Sequence, residues 1–317
     1  MTLIIGALTA SGIVLTADSR QTYRNAAGAV RIGSDNAVKL FKLTDRCGVA
    51  ISGRAFLRGA NQPPKEAGHF VKRFAETENL DGSTTRQIAD SLNASLRDVF
   101  VDFEKNNLKQ AIAAEIAKQG GTNLAFQDAS DHTVPYTFEA PDGTAKSDAG
   151  SIETLNIIVA GIDSDNVGRA YSIAVPAGIL IERDTEACGA LWLGQTDVIT
   201  RIIKGRAPEM HQLNFMQSAV AADAAGVQSE LDKLEYIVNW TTITLQDAVD
   251  FCALMTRTTA NIQRFSDGTL LAPGGIPGVG GEIDIAVITP EGGFQWLKQK
   301  LLRWEGEELQ SPSSPND

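Results

Sequence analysis

The chain has 317 residues, of which 43% are hydrophobic and 21% charged, and its formal net charge is -11 at pH 7. Its apolar content can build a sizeable core, and its length admits either one large domain or two small ones. The acidic balance, without a Lys/Arg-rich stripe, disfavours a nucleic-acid partner.

Leu3 to Leu8 and Ile13 to Asp18 are apolar runs of strand length joined by Thr9-Ala10-Ser11-Gly12, the pattern of a β-hairpin. The first run has no basic flank and is too short for a secretory core or a membrane span, so a cytoplasmic protein without a membrane partner is expected. A second strand pair is expected at Ala37 to Leu43 and Gly48 to Ser52, turning at Asp45-Arg46. Both strands of the first pair are apolar throughout, which requires a sheet covered on both faces.

Helical character begins after Gly53, first over Pro64 to Glu78. From Thr84 onward Ile88, Leu92, Leu96, Val99, Phe100 and Phe103 recur at three- and four-residue spacing, with Ser83 as the expected N-cap. This pattern runs on to Ile112 and Ile116 and stops at Gly120-Gly121. Residues 120 to 153 are polar and aperiodic and read as a long loop or an ordered insertion. Strands resume at Thr154 to Ile162, Arg169 to Val175 and Ala187 to Leu193. Val198, Ile199, Ile202 and Ile203 share one helical face that ends near Gly205, and 206 to 240 read as an irregular or helical insertion. Leu245, Val249, Cys252, Met255, Thr259 and Ile262 line an amphipathic helix with Thr244 at its N-cap. A Gly/Pro-rich loop, Ala272 to Gly281, precedes a terminal hairpin of Ile283 to Thr289 and Gly293 to Leu297. Residues 303 to 317 are polar and read as a disordered tail.

This order, strands, two helices, strands, two helices, strands, predicts an α+β fold. Two antiparallel sheets packed face to face with helices outside would form an αββα sandwich, a single domain over 1–302 with insertions near 120–153 and 206–240. Cys47, Cys188 and Cys252 are far apart and odd in number, and read as thiols rather than as a disulfide framework or zinc knuckle. His69, His132 and His211 lack metal-ligand spacing, and neither H-E-x-x-H nor G-x-S-x-G occurs, so neither metal-dependent hydrolysis nor Ser-His-Asp catalysis is expected. The run Pro273 to Gly281 lacks the Lys-Ser/Thr ending of a phosphate loop and reads as a flexible loop near the cleft.

Thr2, the segment Leu15-Thr16-Ala17-Asp18-Ser19-Arg20, the strand Lys39-Leu40-Phe41-Lys42-Leu43 and the strand Val49-Ala50-Ile51-Ser52-Gly53 together resemble the proteasome β-subunit and related bacterial peptidases. These are N-terminal-nucleophile (Ntn) hydrolases. In that family the mature chain opens with Thr sixteen positions before an Asp, and Thr2 to Asp18 is the same interval. The resemblance implies catalytic roles for Thr2, once Met1 is removed, and for Asp18 and Lys39, with the Gly53 N–H in the oxyanion hole. The residue types suit the chemistry. A Thr hydroxyl needs an adjacent base, and a terminal amine with a free pKa of about 7.7 to 8.0 is one. A nearby ammonium on Lys39 would favour the neutral amine, Asp18 would orient that lysine, and a backbone N–H can meet a developing oxyanion.

Downstream, Ile158-Val159-Ala160-Gly161-Ile162-Asp163 and the strand from Gly281 to Ile288 also resemble the family. Trp192-Leu193-Gly194-Gln195 sits where the family has a Gly-Ser pair, so Gln195 or Thr196 stands in for the Ser that binds the terminal amine. An Asp and a Ser three residues apart are expected near Ile262 to Gly268. Phe265 and Gly268 occupy those places without a gap, and Ser266 and Asp267 supply them after a local shift. The resemblance thus implies a threonine-type peptidase acting on peptides or unfolded chains in a homo-oligomeric ring, with no cofactor and with any regulatory ATPase partner unassigned. Two alternatives stay open: a silent scaffold subunit of the same fold, and a small-molecule amidase of the same superfamily.

Overall fold

The computed structural model describes residues 2–25, 28–60, 62–127, 132–301, 303–304 and 307–308. Its described residues form a mixed α/β molecule with five α-helices and several antiparallel sheets. The chain opens with β1 (Leu3–Thr9) and β2 (Gly12–Ala17), whose residues are all buried, as their unbroken apolar runs require. A hairpin follows, β3 (Gln21–Arg24) with β4 (Val30–Ser34), in a stretch for which the sequence analysis expected no element. Next come β5 (Leu40–Thr44) and β6 (Cys47–Gly53), then the two-residue strands β7 (Phe56–Leu57) and β8 (Lys65–Glu66).

Two helices succeed them, α1 (Ala67–Thr77) and the 34-residue α2 (Thr85–Lys118). Thr84, not Ser83, caps α2. Its hydroxyl accepts from the Gln87 N–H at 3.2 Å while the Gln87 amide accepts from the Thr84 N–H at 2.8 Å, a reciprocal capping box that needs Gln three residues on. The polar segment after Gly121 is an ordered insertion: β9 (Thr122–Phe126), β10 (Thr133–Glu139) and β11 (Ala145–Ser151) form a three-stranded sheet of their own. Gly150 of this sheet lies against Leu108 and Ile112 of α2.

β12 (Leu155–Ile162) and β13 (Gly168–Val175) fall where expected, and β14 (Gly178–Asp184) is an additional, half-exposed strand before β15 (Gly189–Gly194). α3 (Asp197–Lys204) ends at Gly205 in the left-handed conformation. The 206–240 segment contains a short 3-10 helix, Pro208–Gln212, and α4 (Asn214–Asp232), broken by non-helical backbone at Asp223 and largely exposed. α5 (Leu245–Phe265) begins with a second capping box, Thr244 with Asp247. β16 (Asp284–Thr289) and β17 (Gly293–Lys298) close the core. Of the segment expected to be a disordered tail, β18 (Arg303–Trp304) and β19 (Glu307–Glu308) form a short antiparallel pair, and the remainder lies outside the described residues.

Two five-stranded antiparallel sheets carry the core, in the orders β15-β1-β2-β16-β17 and β14-β13-β12-β6-β5. Alternate side chains divide between their faces. Ile4, Leu8, Leu15 and Ile288 of the first sheet meet Ala50, Ile158 and Ala160 of the second in one cluster. Leu3, Ile5, Val14 and Val287 point the other way, onto Ile199 of α3 and Val249, Cys252 and Met255 of α5. Val49, Ile157 and Ile173 of the second sheet likewise pack on Val71 and Phe74 of α1 and Leu92, Leu96 and Phe100 of α2. Each such aliphatic side chain contributes about 1.5–3 kcal/mol on burial. Cys47 and Cys252 are buried and free, and Cys188, half-buried, donates to the Thr185 carbonyl at 3.1 Å.

Candidate active site

The ends of four strands converge at one edge of the two sheets. Thr2 immediately precedes β1, Asp18 follows β2, Lys39 precedes β5, and Gly53 is the last residue of β6. Thr2, Asp18 and Lys39 are only 4%, 1% and 7% exposed, so their polar groups must satisfy one another.

Lys39 has three donors and uses each on a different acceptor. Its Nζ donates to Thr2 Oγ1 at 2.6 Å, to Asp18 Oδ1 at 3.0 Å and to the Arg20 carbonyl. Asp18 is saturated as well. Oδ1 also accepts from the Leu3 N–H at 3.1 Å, while Oδ2 accepts from the N–H groups of Arg20 at 3.0 Å and Gly280 at 2.9 Å. The carboxylate therefore joins the start of β1, the end of β2 and the Gly-rich segment before β16, and aims Lys39 at the threonine oxygen.

Burial pushes the Lys39 pKa below the usual lysine value, and the adjacent Asp18 opposes that shift. Burial pushes Asp18 up, opposed by Lys39 and by the N–H groups of Gly280 and Arg20. Burial thus works against both charges, while their mutual attraction and the N–H donors on Asp18 work to keep them. A lysine of lowered proton affinity touching a hydroxyl is suited to exchanging a proton with it.

Gly53 has φ of +87°, and a Cβ there would lie 2.6 Å from the Thr154 carbonyl oxygen, so no other residue fits. Together with Thr2 and Lys39 it lines a cleft whose walls include Val38, Ile51 and Ala67. Ser52, also lining the cleft, has a buried hydroxyl without a hydrogen-bond partner among the described residues.

On the other side of the threonine the Gln195 N–H donates to the Thr2 carbonyl at 2.7 Å. Gly194, with φ of +95°, permits this approach, since a Cβ there would sit 1.9 Å from the same oxygen. The Gln195 side chain is engaged elsewhere: its Oε1 accepts from Gln263 Nε2 at 2.8 Å. Gln263 Oε1 in turn accepts from the N–H groups of Gly278 and Val279, both at 2.9 Å. Thr196 occupies the N-cap of α3 without a side-chain capping bond.

Ser266 and Asp267 are exposed. The Ser266 hydroxyl exchanges bonds with Gly268 inside its own turn, and the Asp267 carbonyl accepts from the Gly274 N–H, so the turn's bonds close on itself. Gln263 and Gly280 are the residues that sequence reasoning missed. Gly280 lay within a run read only as loop, and nothing local marks Gln263 as other than a polar residue of a helix. Met1 lies outside the described residues.

Among the described residues no group of three or more His, Cys, Asp or Glu is placed to hold a metal ion, and no helix is long and apolar enough to cross a membrane. The chain matches no protein-family model and no curated protein.

Proposed function

We propose that the chain is an N-terminal-threonine hydrolase of the proteasome-like type, with the two sheets and their flanking helices read as an αββα sandwich, and that it cleaves peptide or other amide bonds. The observation that carries this reading is the 2.6 Å contact between Lys39 Nζ and Thr2 Oγ1, backed by an Asp18 whose two oxygens take four donors. With Met1 removed, Thr2 Oγ1 attacks the substrate carbonyl carbon and its proton passes to the terminal amine, whose neutral form a charged Lys39 favours. The oxyanion of the tetrahedral intermediate takes the Gly53 N–H. The C–N bond then breaks, the leaving amine takes the proton, and an ester on Thr2 remains until water hydrolyses it. A homo-oligomeric ring that limits access to peptides or unfolded chains belongs to the same proposal.

One observation favours a second reading, a silent scaffold subunit: the side chain expected to help hold the terminal amine, Gln195, is tied to Gln263. Intact-mass analysis, combined with cleavage of a fluorogenic peptide, separates the two. Hydrolysis predicts a chain lacking Met1, one covalent adduct with a β-lactone, and loss of both adduct and turnover in Thr2→Ala. A retained Met1 with neither adduct nor turnover overturns the enzymatic reading. Comparing peptides with small amides as substrates then tests the amidase alternative.

A further inference from the structure

A second lysine stands behind the first. Lys300, two residues past β17, is half-buried, and its Nζ donates to Ser19 Oγ at 2.7 Å and to the Ala37 carbonyl at 3.0 Å. Ser19 follows Asp18, and Ala37 lies two residues before Lys39. One ammonium thus bridges the backbone segments that deliver the two members of the buried pair. Its own position is fixed independently of its side chain, because the Lys300 N–H donates to Asp284 Oδ1 at 2.8 Å. The Ser19 hydroxyl is held from the same strand region by donation to the Glu282 carbonyl at 2.5 Å.

We propose that Lys300 is a positioning residue for Lys39, holding the Asp18–Ser19 and Ala37–Lys39 segments in register and placing a fixed positive charge behind the lysine that contacts Thr2. The role of Lys39 in hydrolysis rests on the function proposed above, whereas the effect of Lys300 on Lys39 does not. Several segments bring charged groups toward the pair, among them Arg54, paired with Glu104 at 3.0 Å, and the exposed Glu66, both lining the cleft beside Lys39. Asp18 binds Lys39, Arg20 is paired with Asp35 at 2.6 Å, Glu282 is paired with Lys298 at 3.3 Å, and Asp284 is engaged by the Lys300 backbone. Burial is the main cause that lowers the proton affinity of Lys39, Asp18 opposes it, and the Lys300 charge adds a smaller push in the same direction as burial. Removing the positive charge moves the titration of Lys39 upward, and moves that of the neighbouring terminal amine in the same direction.

Lys300→Met removes the charge and keeps most of the side-chain bulk, while Lys300→Arg keeps the charge. Both retain the backbone bond to Asp284, and Lys300→Gln serves if the Met variant fails to fold. The first readout is the titration of Lys39 by carbon-13 NMR of labelled lysine side chains, assigned by Lys39→Met. Its midpoint is expected to rise by roughly one pH unit in Lys300→Met and to stay near wild type in Lys300→Arg. The second readout is the pH profile of peptide turnover. Its acid limb should rise by the same amount, lowering kcat below the limb roughly tenfold with KM unchanged, and the Arg variant should restore it. An unchanged Lys39 midpoint in the charge-free variant overturns the proposal, as does an Arg variant that shifts as far as the Met variant. Normal Lys39 shifts in a chain without turnover would uphold the role of Lys300 and defeat the hydrolase reading alone.

Discussion

At the scale of single residues, the Asp18 carboxylate can be replaced by nothing of similar shape. Both oxygens only accept, from three backbone N–H groups and one ammonium, so the amide of Asp18→Asn would turn donors against donors in a site closed to water. That change leaves Lys39 buried without its counter-charge and is expected to cost about 3–5 kcal/mol, read as a lower urea midpoint at unchanged slope. Lys39 also makes stability depend on pH. Its folded pKa lies below the ordinary lysine value, so between the two the unfolded chain binds more protons than the folded one. Stability therefore rises with pH across that window, and is lost as pH falls from the ordinary lysine value toward the lowered one. Urea midpoints of wild type and Lys39→Met measured from pH 7 to 10.5 should show this slope in the wild type and its absence in the variant. Parallel curves would mean that Lys39 is not desolvated as its surroundings require.

At the scale of elements, the long α2 helix is fastened at its first turn by a residue from another strand pair. Asp163, at the end of β12, accepts from the Thr85 N–H at 2.7 Å and hydroxyl at 2.6 Å through Oδ1, and from Arg169 at 2.8 Å through Oδ2. This adds a distant acceptor to the local capping box, where the helix dipole also favours a negative charge. Asp163→Ala should therefore destabilise the fold by about 3 kcal/mol, whereas Thr84→Ala, which loses only the local cap, should cost about 1 kcal/mol. Equal losses by urea denaturation would show that the long-range contact adds nothing. The two sites differ in the same way in how far the sequence reveals them. The local box is written in Thr84 and Gln87, although Ser83 competed for the same place, but no spacing joins Asp163 to Thr85. The apolar strands β1, β2, β12 and β13 were legible because both faces are buried. β3 with β4, β9 to β11, and β14 were not, since they are short or exposed and carry no alternating pattern. In the candidate site, Thr2, Asp18, Lys39 and Gly53 are singled out through the family resemblance of their segments, and the fold brings them to one cleft and bond network. Gln263 meets Gln195 through the fold and not through any sequence spacing, and Ser266 and Asp267 lie in the turn beyond α5, where Ser266 bonds within the turn.

At the scale of the whole molecule, the site is divided between the two sheets, and this decides what holds it together. Thr2 and Asp18 flank β1 and β2 of one sheet, while Lys39 adjoins β5 and Gly53 ends β6 of the other. The Lys39–Thr2 and Lys39–Asp18 contacts thus join the edges of the two sheets, and the apolar layer between the sheets is expected to set their length. Ile158 lies in that layer, fully buried, with its side chain 3.0 Å from where a Cβ on Gly6 would stand, so β1 and β12 pack as closely as side chains allow. Truncation to Ala leaves a cavity that neither sheet can fill without shifting relative to the other, at an expected cost of about 2–5 kcal/mol. A truncation of similar size outside this layer, such as Leu92→Ala between α2 and the second sheet, should cost a comparable amount without altering the spacing between sheets. The two variants separate stability from geometry. Under the hydrolase function proposed above, at a temperature where both remain folded, Ile158→Ala should lower kcat for peptide cleavage and weaken reaction of Thr2 with a β-lactone, while Leu92→Ala should leave both near wild type. If both lose turnover in proportion to stability alone, the inter-sheet layer does not set the distance between Lys39 and Thr2.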